Sequence, residues 1–126
     1  MPVRLRPADP AAVSAALSRR AAGSSTRDDD RLLVKHFLAV LSGRAPGGAV
    51  EVRVPPYAAA QVVPGVRHTR GTPPAVVETD AETWLALATG RTTWAQALGS
   101  GAVVASGERT DLTPYLPLTD PASPMA

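Results

Sequence analysis

Polar chemistry is concentrated in one segment, Val66-Arg67-His68-Thr69-Arg70. Read as a strand, it puts His68 and Arg70 on one face and Arg67 on the other, because side chains alternate along a strand. An imidazole beside a guanidinium would hold the carboxylate or phosphate head of a ligand through charge-assisted hydrogen bonds. The same charges are a routine device on solvated edge strands, where they resist pairing with other chains.

Other polar patterns point away from catalysis. Asp28, Asp29 and Asp30 suit the start of a helix, where the dipole favours negative charge. The histidines, His36 and His68, stand in different elements, and no HExxH or other paired-His motif occurs, so no metal is expected. Gly99-Ser100-Gly101 lacks the spacing of a GxSxG nucleophile elbow. The stretch 43–48 is Gly-rich but has no P-loop Lys and Ser/Thr, and Pro46 removes an N–H that a phosphate cradle would use. With no nucleophile, base and metal brought together, the chain reads as a non-enzyme without a cofactor.

Composition narrows the classes further. The 126 residues suit one domain, and 44% apolar residues supply a core. The formal charge is only +2, with no basic run, so the phosphate-contacting stripe of a nucleic-acid reader is missing. There is no cysteine, which excludes disulfides and thiolate sites and fits a cytoplasmic protein. Residues 1–10 are polar and proline-broken, unlike a signal peptide, and no apolar run approaches the ~18 residues of a membrane span. Among the 13 basic residues only Lys35 is a lysine, an Arg bias that points to a GC-rich bacterial genome.

These groups must be positioned by short elements. Asp9-Pro10 reads as N-cap and first helical residue, with Val13, Ala16, Leu17 and Ala21 at helical spacing and Gly23 as the stop. After the connector Ser24-Ser25-Thr26, the three aspartates open a second helix. Leu33, Phe37, Val40 and Leu41 form its apolar face, and Gly43 is expected to end it. Val50, Val52 and Val54 alternate with Glu51 and Arg53 as a half-buried strand, and Pro55-Pro56 ends it. Further strands are expected over 57–63, 66–70, 75–78 and 102–106. Thr79 and Glu82 read as a capping box for a helix ended by Gly90. Thr92 or Thr93 caps a short helix, and Thr110 caps a last turn. Strands in the middle and helices at both ends predict an α+β fold, a five-stranded, mostly antiparallel sheet covered by helices. The expected parts are N-terminal helices over 1–43, a core over 44–118 and a flexible tail over 119–126, forming one domain.

Residues 79–118 read TDAETWLALATGRTTWAQALGSGAVVASGERTDLTPYLPL. This resembles the C-terminal half of the sterol carrier protein-2 domain. That family has an Asp-led helix containing Trp or Phe, a glycine, and then a helix running into a Gly-bounded strand. The matching positions are Asp80, Trp84, Leu87, Gly90, Ala97, Leu98, Gly101, Val103, Val104 and Gly107. The resemblance covers roughly 44–118 and implies a five-stranded sheet packed by helices. It also implies a pocket walled by Trp84, Leu87, Trp94, Leu98 and Val103, holding a fatty acyl lipid or another apolar small molecule without reaction. On periodicity alone, these five residues are ordinary core positions. A domain of this type also forms the C-terminus of mycothiol-dependent maleylpyruvate isomerases, whose catalytic part is a separate metal-binding helical bundle. The present chain resembles that accessory domain standing alone. The second reading is therefore an interaction module with a collapsed pocket, forming a homodimer or docking on an enzyme.

Overall fold

The computed structural model describes residues 5–65 and 75–119. The chain order is α1 (Pro10–Ala21), α2 (Arg27–Arg44), β1 (Val50–Val54), β2 (Ala58–Val62), β3 (Ala75–Thr79), α3 (Ala81–Ala88), α4 (Trp94–Gly99) and β4 (Val103–Ser106). A 3-10 turn, Thr113–Tyr115, follows. The α+β class stands as expected.

The described residues form a four-stranded sheet, not a five-stranded one, in the order β2-β1-β3-β4. The strand expected over 66–70 lies outside the described residues, as does the tail from 120. The β1–β2 and β3–β4 pairs are antiparallel, whereas β1 and β3 run parallel. The alternation seen in the sequence sets which face is buried. Val50, Val52 and Val54 pair laterally with Val62, Ala60 and Ala58 on one side. On the other side, Val50 and Val52 meet Ala75 and Val77. The three β1 valines are fully buried, while Arg53, Glu78 and Val104 lie on the opposite face and are exposed.

Helices cover the valine face. α2 packs against β2 and α3, α1 packs against α2, and α4 packs against β4. Leu33, Val34, Phe37, Leu38 and Leu41 of α2 join the valines in one buried cluster. Each fully buried side chain of this kind stabilises the fold by roughly 1.5–3 kcal/mol relative to leaving it exposed.

Three local expectations need correction. Gly43 does not end α2, which runs on to Arg44. A helical glycine loses only about 1 kcal/mol against alanine, and the packing of Phe37, Leu38 and Leu41 outweighs that. The N-cap of α3 is Asp80, not Thr79: its Oδ1 accepts the Thr83 N–H at 2.7 Å. Thr79 is the buried last residue of β3, and its hydroxyl donates to the Ala102 carbonyl at 2.8 Å. The last turn is organised by Asp111, which accepts from the Thr113 N–H and hydroxyl at 2.9 and 2.6 Å, rather than by Thr110.

The C-terminal segment is strapped back onto the helices. Arg44 donates from Nη1 to the Pro117 carbonyl and from Nη2 to the Leu118 carbonyl, both at 3.0 Å. The Leu118 N–H donates to the Ala88 carbonyl at 2.8 Å, and the Leu118 side chain is buried.

Candidate functional site

Burial patterns gather α3, α4 and β4 around one apolar layer between helices and sheet. α3 begins at Asp80 with an extended cap residue, and its apolar positions Trp84, Leu85, Leu87 and Ala88 are all buried. α4 begins at Thr93, whose hydroxyl accepts the Gln96 N–H, while the Gln96 side chain accepts the Thr93 N–H, both at 3.2 Å. This reciprocal box satisfies two N–H groups that a six-residue helix would otherwise leave open.

The structure brings four of the five expected wall residues together. Trp84, Leu87, Trp94 and Val103 all belong to the buried cluster that also holds the β1 valines. Leu98 does not join them and is 40% exposed. His68 and Arg70 lie outside the described residues.

One atom in the layer has no partner. Trp84 is 1% exposed, and its indole Nε1–H is the single buried side-chain polar atom without a hydrogen bond among the described residues. The other buried polar side chains are satisfied. Thr79 is bonded as described above, and Asp29 accepts from both Arg19 and the Thr26 N–H. An unmade bond at a buried donor leaves its desolvation penalty of about 1–3 kcal/mol uncompensated.

Among the described residues, two grooves open on the outside of the helices. One, of about 510 Å³, lies between α1 and α3 and is lined by Leu17, Arg20, Glu82, Leu85, Thr89 and Arg91 among others. Arg20 is already held there by Asp30 at 2.9 Å and Glu82 at 2.8 Å. The other, of about 400 Å³, lies between the segment before α1 and one face of α2, lined by Arg6, Arg31, Leu32, Lys35 and His36 among others. His36 Nδ1 accepts the Ala8 N–H at 2.9 Å, so the neutral ring carries its proton on Nε2. Burial pushes the His36 imidazole below its ordinary value.

Sequence reasoning picked out Trp84 for its apolar surface and missed its stranded donor. Nothing in the residue order signals that state, because it depends on which acceptors the packed fold leaves nearby. It also missed both grooves, which join residues distant in the chain.

A family model described as "Bacterial SCP ortholog" matches residues 26–118. The match begins in the connector before α2, upstream of residue 44, and runs to the strapped C-terminal segment. No curated protein matches the chain.

Proposed function

Because this chain belongs to the bacterial SCP ortholog family, a sterol carrier protein-2-like group, we propose that it binds and carries a lipid or similar apolar molecule without chemical change. The family match is the observation that carries this reading. The proposed seat is the layer between the sheet and α3–α4, walled by Trp84, Leu87, Trp94 and Val103, with Leu98 at its mouth. A carboxylate head, where the ligand has one, would be met by His68 and Arg70. The proposed place of work is the cytoplasm. No described helix is long and apolar enough to cross a membrane.

Physical chemistry makes such carriage feasible. Burying an acyl chain gains roughly 0.8 kcal/mol per CH₂. About twelve methylenes give a gross gain on the order of 10 kcal/mol, from which association and ordering subtract. Micromolar affinity needs about 8 kcal/mol net, so a well-fitted chain reaches it with little polar help.

Trp84, Leu87 and Val103 are nearly fully buried among the described residues, so uptake between them requires an element to move. α4 suits that role. It is six residues long, and Gly90 before it and Gly101 after it both sit at positive φ, 80° and 81°. Short elements with exposed apolar side chains belong to the low-stability end of a structure.

Native mass spectrometry of the purified protein, followed by solvent extraction, tests the reading. A co-purified acyl species, or added decanoate or decanol that binds and raises Tm, is the expected result. A clean apo mass together with no binding of either probe would overturn it.

A further inference from the structure

The stranded indole donor points to the chemistry of the cargo. We infer that the carried molecule presents a neutral oxygen, an ester or ketone carbonyl or a hydroxyl, to the Trp84 Nε1–H inside the layer. The inference rests on the carrier reading above and deepens it.

Three observations bear on it. First, Trp84 is 1% exposed and its Nε1 is unpartnered, against the strong rule that buried donors are paired. A buried water does not explain this well. Such waters make about three hydrogen bonds, and the side chains clustered with Trp84 are apolar. A ligand needs only one acceptor there, because its chain supplies the rest.

Second, the layer holds no cation among the described residues. Its members are apolar, and the buried polar or charged residues are only Asp29 and Thr79. Asp29 is an anion already engaged by Arg19. A carboxylate set directly against the Trp84 N–H would be buried among these apolar side chains, which is far more costly than placing a neutral oxygen there. A neutral carbonyl or hydroxyl takes the indole bond without that penalty.

Third, the donor lies on α3, one turn before Leu87 and Ala88, in a helix anchored by Asp80 at one end and by the Leu118 strap at the other. Trp84 is therefore held on an element fixed at both ends. A hydrogen bond to it would set how far the polar end of the cargo enters.

The test compares 1-decanol, methyl decanoate and decanoate at pH 8 on the full chain, before and after Trp84→Phe. The expected result is that the alcohol and ester bind more tightly than the anion. Trp84→Phe should weaken those two by about fivefold more than it weakens decanoate, the size of one net hydrogen bond. A second measurement needs no variant at that position. The indole N–H resonance of Trp84, assigned with the help of Trp94→Phe, should move downfield when decanol binds. Decanoate binding that exceeds decanol binding, with an unmoved Trp84 resonance, would place the polar end elsewhere and sink the inference while the carrier reading stands. No binding of any of the three would remove both.

Discussion

Arg19 forks onto Asp29, its Nε donating to one carboxylate oxygen at 2.8 Å and its Nη2 to the other at 2.7 Å. The pair ties the last turn of α1 to the first turn of α2. Asp29 also closes a capping box, accepting the Thr26 N–H at 3.1 Å while its own N–H donates to the Thr26 hydroxyl at 3.2 Å. The Arg19 bond, helped by the Thr26 N–H, lowers the Asp29 carboxyl from 3.8 to about 2. A carboxyl depressed in the folded state contributes stability that is complete above its unfolded value. That contribution fades as pH falls from about 4 towards about 2. Asp29→Asn should therefore flatten this part of the acid limb in urea midpoints measured between pH 2 and 5. An acid limb of unchanged steepness would mean that other carboxylates dominate it.

A second pH effect is expected near neutrality. His36 Nδ1 holds the Ala8 N–H only while the ring is neutral, and burial depresses its pKa below 6.5. Arg6, Arg31 and Lys35 line the same groove, with Asp28 the acidic residue among its lining. Folding stability from this group is full above about pH 6.5 and declines as pH falls through the depressed value. Hydrogen exchange at the Ala8 amide, corrected for the intrinsic pH dependence, should lose protection between pH 7 and pH 5. His36→Phe should remove both the protection and its pH dependence. Equal protection at the two pH values would show that the segment before α1 is held by other contacts.

Thr93 starts α4 by a reciprocal box with Gln96. Thr93→Ala should lower stability by about 1 kcal/mol. Because α4 is only six residues long, the effect should appear first as faster exchange at Ala97 and its helical neighbours, with α2 unaffected. A uniform rise in exchange over the whole chain would show that α4 opens only with global unfolding, and would count against its role as the entry gate.

Gly107 and Gly99 separate strain from freedom. Gly107 has φ 94°, and a Cβ there would lie 2.7 Å from Ala75 Cα and 2.8 Å from Ala75 Cβ. Both the conformation and the contact with the start of β3 oppose a side chain. Gly107→Ala should destabilise by about 2 kcal/mol or more. Gly99, at the end of α4, has nothing within 4 Å of such a Cβ and no positive φ. Gly99→Ala should be neutral or stabilising by up to about 1 kcal/mol. Urea titrations of the two variants side by side check the contrast, and equal losses would contradict the assigned geometry.

Much of this architecture was legible where local chemistry decides it. Asp9-Pro10 announces the start of α1, and the Val50, Val52, Val54 alternation announces which face of β1 is buried. The burial of Trp84, Leu87, Trp94 and Val103 follows from helical and strand spacing. Tertiary contacts decided the rest. Thr79 looks like a cap in sequence, but its hydroxyl is taken by the Ala102 carbonyl across 23 positions. Gly43 looks like a stop, but α2 runs one residue past it to Arg44, carried by the buried face that ends at Leu41. The Arg44 clamp on Pro117 and Leu118 joins residues more than seventy positions apart, and no local pattern foretells it.

Trp84→Phe should behave unlike other core truncations in the lipid-free protein. Two effects oppose each other there. Removing the indole N–H relieves a stranded donor, a gain of about 1–3 kcal/mol. The smaller ring gives up contacts and leaves a void, a loss on the order of 1–2 kcal/mol. The net change should fall between a loss of about 1 kcal/mol and a gain of about 2 kcal/mol. Leu87→Ala offers the contrast: it is 1% exposed, has no polar relief to gain, and should lose about 2–5 kcal/mol. Urea midpoints of delipidated wild type and both variants give the comparison. A loss of about 3 kcal/mol or more in Trp84→Phe would mean that the N–H has a partner in solution, and the case for a ligand oxygen would go with it. A value within that range in the delipidated protein, with decanol no longer raising Tm as much as in wild type, would tie the stranded donor to the cargo.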